Sequence, residues 1–339
     1  MRYKLLGKSG LRVSEMALGT MTFGETWGWG ASKEECQKIF DGYTEAGGNF
    51  IDTANRYTEG TSEYYVGDFI AADRDHFVLA TKYTLFDRRN DPNASGNHRK
   101  NMIRSLEASL KRLKTDYIDV FWVHAWDFMT PVEEVMQGLD NLVRAGKVLY
   151  VGISDTPAWI VSQANILAAL RGWTPFIGLQ VQYSLIERTP ERDLLPMARA
   201  FDMSVTAWGA LGSGVLTGKY NRPDQDAQGR AAMWGAIEPH KLTIAQVVVD
   251  IAETIDCTPS QVALSWVRQQ SGSIIPLIGA RNVAQLEDNL GCLNVTLTDE
   301  QLSQLNEVSR IELGFPHDFL ATNEAKDVIY GGTLAQIDI

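Results

Sequence analysis

Short apolar runs rich in Val and Ile alternate along the chain with longer segments whose apolar residues recur at helical spacing. The short runs predict strands, and the longer segments predict helices. A hairpin is predicted over residues 4–14, ahead of the first core strand. The predicted core strands cover residues 16–22, 49–54, 77–83, 118–124, 147–154, 177–184, 203–208 and 273–279.

A predicted helix follows each core strand, and Ser32 and Glu35 have the spacing of a capping box at the start of the first helix. Eight apolar strands between amphipathic helices indicate an α/β protein with a closed (β/α)8 TIM barrel. We expect one domain over residues 1–339, with an N-terminal hairpin, a long loop at 209–240 and an extended C-terminal loop or tail at 310–339. Helices are predicted over residues 32–46, 62–71, 98–114, 131–145, 157–170, 190–201, 241–270, 282–290 and 298–309.

The composition argues against several other classes of protein. A formal net charge of −11 disfavours a nucleic-acid partner, which needs clustered Lys and Arg. Because we find neither a membrane-length apolar run nor the apolar core of a signal peptide, we expect a cytoplasmic protein. Cys36, Cys257 and Cys292 form no close pair, which predicts reduced thiols rather than a disulfide framework.

Four side chains with acid–base chemistry lie at the carboxyl ends of three consecutive predicted strands. Asp52 ends the second core strand, Lys82 nearly ends the third, His124 ends the fourth, and Tyr57 lies in the loop after Asp52. Alone, each residue type is more often a turn, solvated, structural or packing residue. Active sites of such barrels lie at this end of the strands, so the four together predict one site for proton transfer.

The chemistry of these side chains indicates reduction of a carbonyl group. Tyrosine is a weak acid, and a nearby Lys82 ammonium lowers the pKa of the Tyr57 phenol. Asp52 would keep Lys82 charged, and His124 would orient a substrate carbonyl. The set then forms a general acid for an oxygen that gains negative charge as a hydride arrives. No side chain donates a hydride, so we expect a nicotinamide cofactor.

Two segments with glycine predict where phosphates of that cofactor bind. The G-x-G-x-x-G fingerprint is absent after the first core strand, at residues 17–28. Residues 212–218 come near the pattern after the seventh strand, where such barrels often bind phosphate. Gly279 and Arg281 open a helix after the eighth strand, which suits a monoester phosphate and therefore NADPH.

These motifs resemble the aldo-keto reductase family over nearly the whole chain, and within it the long-chain branch near the potassium-channel β-subunits. The resemblance implies that NADPH lies extended across the barrel mouth and that the catalytic tetrad is Asp52, Tyr57, Lys82 and His124. The chain has Asp155 where the family commonly has Asn, and Asp288 where it commonly has Glu. The implied cofactor contacts are Gly19, Thr20, Met21, Asp52, Ser154, Asp155, Gln180, Trp208, Gly209, Ala210, Leu211, Gly212, Ser213, Gly214, Lys219, Gly279, Arg281, Gln285, Asp288 and Asn289.

The main hypothesis is an enzyme that uses NADPH to reduce an aldehyde or ketone to an alcohol, with the proton from Tyr57. A second hypothesis is a redox-sensing partner subunit that binds NADP(H) with little turnover. The channel subunits typically have Asn at the position of His124, which favours the enzyme. A third is an unrelated barrel such as a metal-dependent hydrolase, but the five histidines are scattered and we expect no metal site.

Aromatic residues in the loops at the carboxyl ends of the strands predict an apolar substrate pocket above His124. We expect about half of them to pack the loops only. Aromatic residues of the tail at 310–339 would pack either against a neighbouring copy of the protein or over the pocket. A homo-oligomer is therefore one of the two alternatives. Sugars, sterols, quinones and simple aldehydes all stay open as substrates. The predicted pocket residues are Trp27, Trp29, Phe86, Trp126, Phe128 and Trp234.

Overall fold

A closed barrel of parallel strands forms the centre of the protein. The structure is a computed structural model that describes residues 1–221, 231 and 236–338. A two-stranded antiparallel hairpin precedes the barrel, as predicted, and is made of β1 (Tyr3–Leu5) and β2 (Arg12–Ser14). The barrel closes where β10 pairs with both β9 and β3. Its strands are β3 (Ala17–Gly19), β4 (Phe50–Asp52), β5 (Val78–Tyr83), β6 (Ile118–Val123), β7 (Val148–Ser154), β8 (Phe176–Gln182), β9 (Ser204–Trp208) and β10 (Ile274–Ile278).

Helices surround the barrel, so the predicted (β/α)8 fold is confirmed. Within the described ranges, no helix is long and apolar enough to cross a membrane. The tail from residue 310 contains two short helices, and Phe315 and Phe319 in it are exposed. The helices are α1 (Lys33–Glu45), α2 (Thr61–Ile70), α3 (Arg99–Leu113), α4 (Val132–Arg144), α5 (Ala158–Arg171), α6 (Leu194–Ala200), α7 (Pro239–Thr254), α8 (Pro259–Arg268), α9 (Val283–Gly291), α10 (Asp299–Val308), α11 (His317–Ala321) and α12 (Asn323–Tyr330).

The predicted capping box of α1 forms only in part. The Ser32 hydroxyl accepts the Glu35 amide, as an N-cap should. The Glu35 carboxylate does not return to Ser32. It accepts the amide of Val283 at the start of α9, at 3.1 Å. Glu35 therefore connects α1 with α9, although its spacing in the sequence suggests a contact within α1.

The N-terminal hairpin closes the amino end of the barrel. Gly7 donates its amide to the hydroxyl of Ser204, the first residue of β9, at 2.7 Å, and Lys4 Nζ donates to the carbonyl of Ile274, the first residue of β10, also at 2.7 Å. A Cβ on Gly7 would lie 2.0 Å from the Ile177 carbonyl oxygen, so only glycine allows this approach. The hairpin and the barrel share an interior cluster of Leu6, Val13, Ala17, Phe50, Val78, Ala80, Val120, Trp122, Ile177 and Ile275.

One indole fills much of the barrel interior. Trp122 points inward from β6 and is fully buried. Gly152 of β7 and Gly178 of β8 leave the space that its rings occupy, because a Cβ on either would lie 2.3 Å or 2.8 Å from them. The interior below the site is therefore packed rather than open, as is usual for this fold.

Candidate active site

Strand alternation places the acid–base residues directly above the interior cluster. Side chains of a strand point to one face at every second residue. Phe50 of β4, Val78 and Ala80 of β5, and Val120 and Trp122 of β6 all point into the barrel. Continuing each series by two residues reaches Asp52, Lys82 and His124. The same alternation that builds the apolar core thus brings these three side chains to the carboxyl end of the barrel.

Lys82 is the centre of a buried hydrogen-bonded group. Its ammonium donates to the carboxylate of Asp52, to the Thr53 carbonyl at 2.9 Å and to the Tyr57 hydroxyl at 3.0 Å. The Lys82 and Asp52 side chains are 0% exposed. Gln180 of β8 donates its side-chain amide to the other carboxylate oxygen of Asp52, at 3.0 Å. All three hydrogens of the ammonium therefore have an acceptor, which is what a buried charge requires.

A tight turn brings Tyr57 back over the rim. Thr58 and Glu59, directly after it, have positive φ angles of 45° and 58°. Few residues other than glycine adopt that backbone region, so the turn is strained. The Thr58 hydroxyl anchors it by donating to the Phe23 carbonyl at 2.6 Å. The strained turn fixes the Tyr57 hydroxyl beside the Lys82 ammonium.

Burial decides the protonation state of Tyr57 more than Lys82 does. Burial raises the pKa of the Tyr57 phenol above its ordinary value, and the opposing effect of Lys82 does not fully offset it. The sequence suggested a net lowering, because the degree of burial could not be read from it. Burial also acts to lower the pKa of Lys82, but Asp52 and Tyr57 outweigh it and raise that pKa. The structure thus holds a neutral phenol against a charged ammonium.

His124 faces Tyr57 as a neutral ring. Their ring centroids lie 6.0 Å apart, edge to face. Burial, with a smaller effect of the Lys82 charge, lowers the pKa of His124 well below its ordinary value. Nδ1 of His124 is buried and has no hydrogen-bond partner among the described residues. The group Asp52, Tyr57, Lys82 and His124 is brought together as the sequence suggested.

The segments after β7 and β9 meet beside this group. Trp208 donates its indole N–H to the carboxylate of Asp155 at 3.2 Å. Asp155 has a positive φ of 41°, and burial raises the pKa of its carboxyl. Ser154 is buried next to it. Sequence reasoning did not foresee that Asp155 would orient the indole or that the amide of Gln180 would be used by Asp52, because both contacts join residues far apart in the chain.

The rest of the rim fits a long ligand with phosphates. Residues 209–214 form a turn in which Gly209, Gly212, Ser213 and Gly214 have positive φ, and a Cβ on Gly214 would lie 3.4 Å from Lys219 Nζ. A turn of successive positive-φ residues with an adjacent ammonium suits an anion. Ala210 is buried inside this turn, and Leu211 is partly buried.

At the start of α9, across the barrel mouth, three backbone amides already have hydrogen-bond acceptors within the protein. The amides of Arg281, Val283 and Gln285 already donate to the side chains of Gln285, Glu35 and Asn282. The exposed Arg281 guanidinium forms no ion pair with any described residue and is therefore open to a ligand. The site expected from helix amides plus Arg281 thus rests mainly on the side chain.

The remaining expected cofactor residues have mostly structural contacts. Thr20 donates its hydroxyl to the Asp52 carbonyl, Gly19 is buried, and Met21 is partly exposed. Asp288 accepts from Thr258 and Gln261 of α8, and Asn289 donates to the Gly279 carbonyl at 3.3 Å. Their contacts with a cofactor stay predictions. Within the described part of the chain, no three His, Cys, Asp or Glu side chains are grouped as metal ligands.

The aromatic residues predicted to line the substrate pocket lie in different environments. Trp27, Trp29 and Phe86 lie on the rim, where Trp27 and Trp29 have ring centroids 5.6 Å apart and Phe86 contacts Arg56. Trp126 packs against the core, and Phe128 is 68% exposed. Trp234 lies outside the described residues. The expectation that part of the set only packs loops fits Trp126.

Comparison with known proteins identifies the family of the chain. The Aldo/keto reductase family matches residues 15–310 of the chain. The norsolorinic acid reductase stcV of Emericella nidulans is 41% identical over 323 residues, which cover 92% of this chain and 82% of that protein. An aryl-alcohol dehydrogenase [NADP(+)] of Phanerodontia chrysosporium is 38% identical over 330 residues, covering 91% and 86%. The chain therefore belongs to the aldo/keto reductase family, whose enzymes catalyse oxidoreduction of small carbonyl compounds.

Proposed function

We propose that the protein reduces an aromatic aldehyde or ketone to the alcohol, with NADPH as reductant and Tyr57 as proton donor. The observation that supports this most is the neutral Tyr57 phenol, 3.0 Å from a charged and fully buried Lys82. An acid of this kind is needed wherever a carbonyl oxygen gains negative charge. The family membership of the chain supports the same reaction.

The proton moves from Tyr57 to the carbonyl oxygen of the substrate. As the carbonyl carbon accepts a hydride, the C=O π pair moves to oxygen, and that oxygen takes the phenolic proton. The resulting Tyr57 phenolate is stabilised by the Lys82 ammonium, which Asp52 keeps charged. His124 stays neutral and so offers one N–H to orient the carbonyl without adding a competing acid. Gln180 holds the Asp52 carboxylate in place.

NADPH, when bound, supplies the hydride. Trp208 would stack against its nicotinamide, with Ser154 and Asp155 beside it. The turn at residues 209–214 and Lys219 would bind the pyrophosphate, and Arg281 would bind the additional phosphate that distinguishes NADPH from NADH. These assignments rest on the fit of the rim described above and on one relative whose name specifies NADP(+).

An aromatic substrate is supported by two independent observations. Relatives of the chain are named aryl-alcohol dehydrogenases and norsolorinic acid reductases. The rim of the barrel mouth carries Trp27, Trp29 and Phe86, whose partly exposed rings offer apolar surface for an aryl group. A sensor subunit would not need the neutral imidazole of His124, so an active enzyme is the better explanation.

Replacing Tyr57 by Phe tests the proposal. The ring and its packing remain, but the proton is lost, so kcat should fall by roughly a hundredfold to ten-thousandfold. NADPH affinity, measured by fluorescence titration, should stay within about twofold of the wild-type value, since the phenol of Tyr57 carries no charge that would attract the phosphates. The matched control is Tyr83→Phe, which removes a buried hydroxyl bonded to the Asn97 carbonyl on the outer face of the same barrel wall. Turnover of benzaldehyde by Tyr57→Phe at the wild-type rate would exclude Tyr57 as the proton donor.

A further inference from the structure

Two guanidinium groups and an aromatic ring form a basic patch on the rim. The guanidinium of Arg56 lies 4.3 Å from the centroid of the Phe86 ring, and that of Arg89 lies 4.6 Å from it. Arg56 is also 5.8 Å from the centroid of Trp27. Such cation–π contacts restrain long side chains that would otherwise be mobile. The two charges are therefore held beside the aromatic rim.

One of these charges has no carboxylate of its own. Arg56 pairs with Glu59, which also accepts the indole N–H of Trp27 at 3.1 Å. Arg88, the neighbour of Arg89, pairs with Asp91. The Asp87 carboxylate is turned inward, to Asn55 and Ser105. Among the described residues, Arg89 forms no ion pair, so its five N–H donors are open to a ligand.

Arg89 also lines a cleft. A cavity of about 460 Å³ lies along the loop at 86–95, with Phe86 and Arg89 in its wall. A cavity of this size is within the range of small-molecule sites. The cavity is shallow and open to solvent, so it suits one end of a ligand rather than a ligand that is buried completely.

The loop that carries the cleft is linked to the catalytic group by Asn55 and Arg56. Asn55 donates its side-chain amide to Asp87 at 2.7 Å and its backbone amide to the Lys82 carbonyl. Arg56, which contacts Phe86, directly precedes Tyr57 in the chain. A flat substrate whose carbonyl meets Tyr57 therefore has Phe86 and Arg89 along one direction in which it can extend.

We propose that Arg89 and the Phe86 ring form a subsite for the acidic end of an aromatic substrate, a carboxylate or phenolate on the ring system that carries the reducible carbonyl. The inference rests on the proposed function and narrows its substrate class. Guanidinium matches a carboxylate in planar, two-point geometry. The whole chain carries a net charge of −11, which repels anions at long range. An anionic substrate therefore needs a local positive charge, and Arg89 supplies one.

Matched aldehydes that differ only in an acidic group test the subsite. The pairs are benzaldehyde with 4-carboxybenzaldehyde, and 4-formylbiphenyl with its 4′-carboxylate, which reaches further along the rim. Arg89→Gln should raise KM for at least one carboxylated aldehyde by about fivefold, as expected for one exposed ion pair, and leave the neutral partner within about twofold. Arg89→Lys should recover part of the loss, because it keeps the charge without the planar fork. The control Arg104→Gln removes an equal charge that contacts the same loop but does not line the cleft.

Direct binding separates this inference from the proposed function. Calorimetric titration with biphenyl-4-carboxylate requires no turnover, and Arg89→Gln should weaken its binding by about fivefold, an effect that added salt should reduce. If no aldehyde is reduced but this loss is seen, the subsite stands and the proposed reaction fails. If wild type and Arg89→Gln bind biphenyl-4-carboxylate equally, or if Arg104→Gln loses as much, the subsite is refuted.

Discussion

Replacing Lys82 by Met should destabilise the protein and inactivate it, and the two effects can be separated. The substitution keeps a long apolar stem but removes the ammonium, which donates to Asp52, Thr53 and Tyr57. The Asp52 carboxylate, 0% exposed, would retain Gln180 as its donor and lose its only partner of opposite charge in the described structure. Removing one member of a buried ion pair costs about 3–5 kcal/mol of unfolding free energy.

The pH dependence of this loss follows from Asp52. Burial raises the pKa of the Asp52 carboxyl, and Lys82 is the main group that opposes the shift. Without Lys82, that pKa in the folded protein should rise further above its value in the unfolded chain. The deficit of Lys82→Met should therefore grow by about 1.4 kcal/mol per pH unit, starting at the folded pKa of Asp52 in the wild type and ending at its higher folded pKa in the variant. It should be larger at pH 8 than at pH 5.

Chemical denaturation at the two pH values, with carbonyl reductase activity measured beside it, tests the reasoning. The control is the double variant Asp52→Asn with Lys82→Met, which removes both charges of this buried pair. It should recover much of the stability and lose the added pH dependence, yet stay inactive because nothing stabilises the Tyr57 phenolate. A Lys82→Met protein as stable as the wild type, or with a deficit that does not change with pH, would show that Asp52 does not need Lys82 as its counter-charge.

Three further outcomes are expected from other parts of the structure. Gly152→Ala should lower the unfolding free energy by about 1–3 kcal/mol, because the added methyl would lie 2.3 Å from the Trp122 rings. The control Gly10→Ala places its methyl where no atom lies within 4 Å, so it should leave the melting temperature unchanged. Because the pKa of His124 is lowered well below its ordinary 6.5, kcat/KM should show no loss from its protonation between pH 8 and pH 6; a step near 6.5 that disappears in His124→Asn would contradict this. Arg281→Ala should weaken NADPH binding by about tenfold and NADH binding far less, and equal losses would remove the phosphate role.

The sequence predicted the barrel well because its strands are short apolar runs between amphipathic helices. Strand geometry then extends the prediction to the site: since side chains alternate between the two faces, and Val78 and Ala80 point inward, Lys82 must do so as well. Each predicted strand has a counterpart in the structure, with ends that differ by a few residues. The proximity of Asp52, Tyr57, Lys82 and His124 could be predicted because residue type and strand position coincide.

Contacts between distant side chains were not predictable in the same way. Glu35 has the spacing of a capping-box acid, but a better donor is offered by Val283, far away in sequence. Nothing near Gln180 in the chain indicates that its amide meets Asp52. In the sequence Arg56 and Arg89 look like ordinary loop residues, and only the structure shows that both contact the ring of Phe86. Such pairings depend on the closed barrel and appear only in three dimensions.

The hairpin at the amino end of the barrel also bears on the order in which the chain folds during synthesis. Its residues leave the ribosome well before its partners near residues 177, 204 and 274. Contacts at such large sequence separation are slow to form, because a long loop must close before they are made. Leu6 and Val13 therefore lack part of their packing partners until the last strand is made, and the hairpin is expected to reach its final position late, although it is synthesised before the strands it contacts.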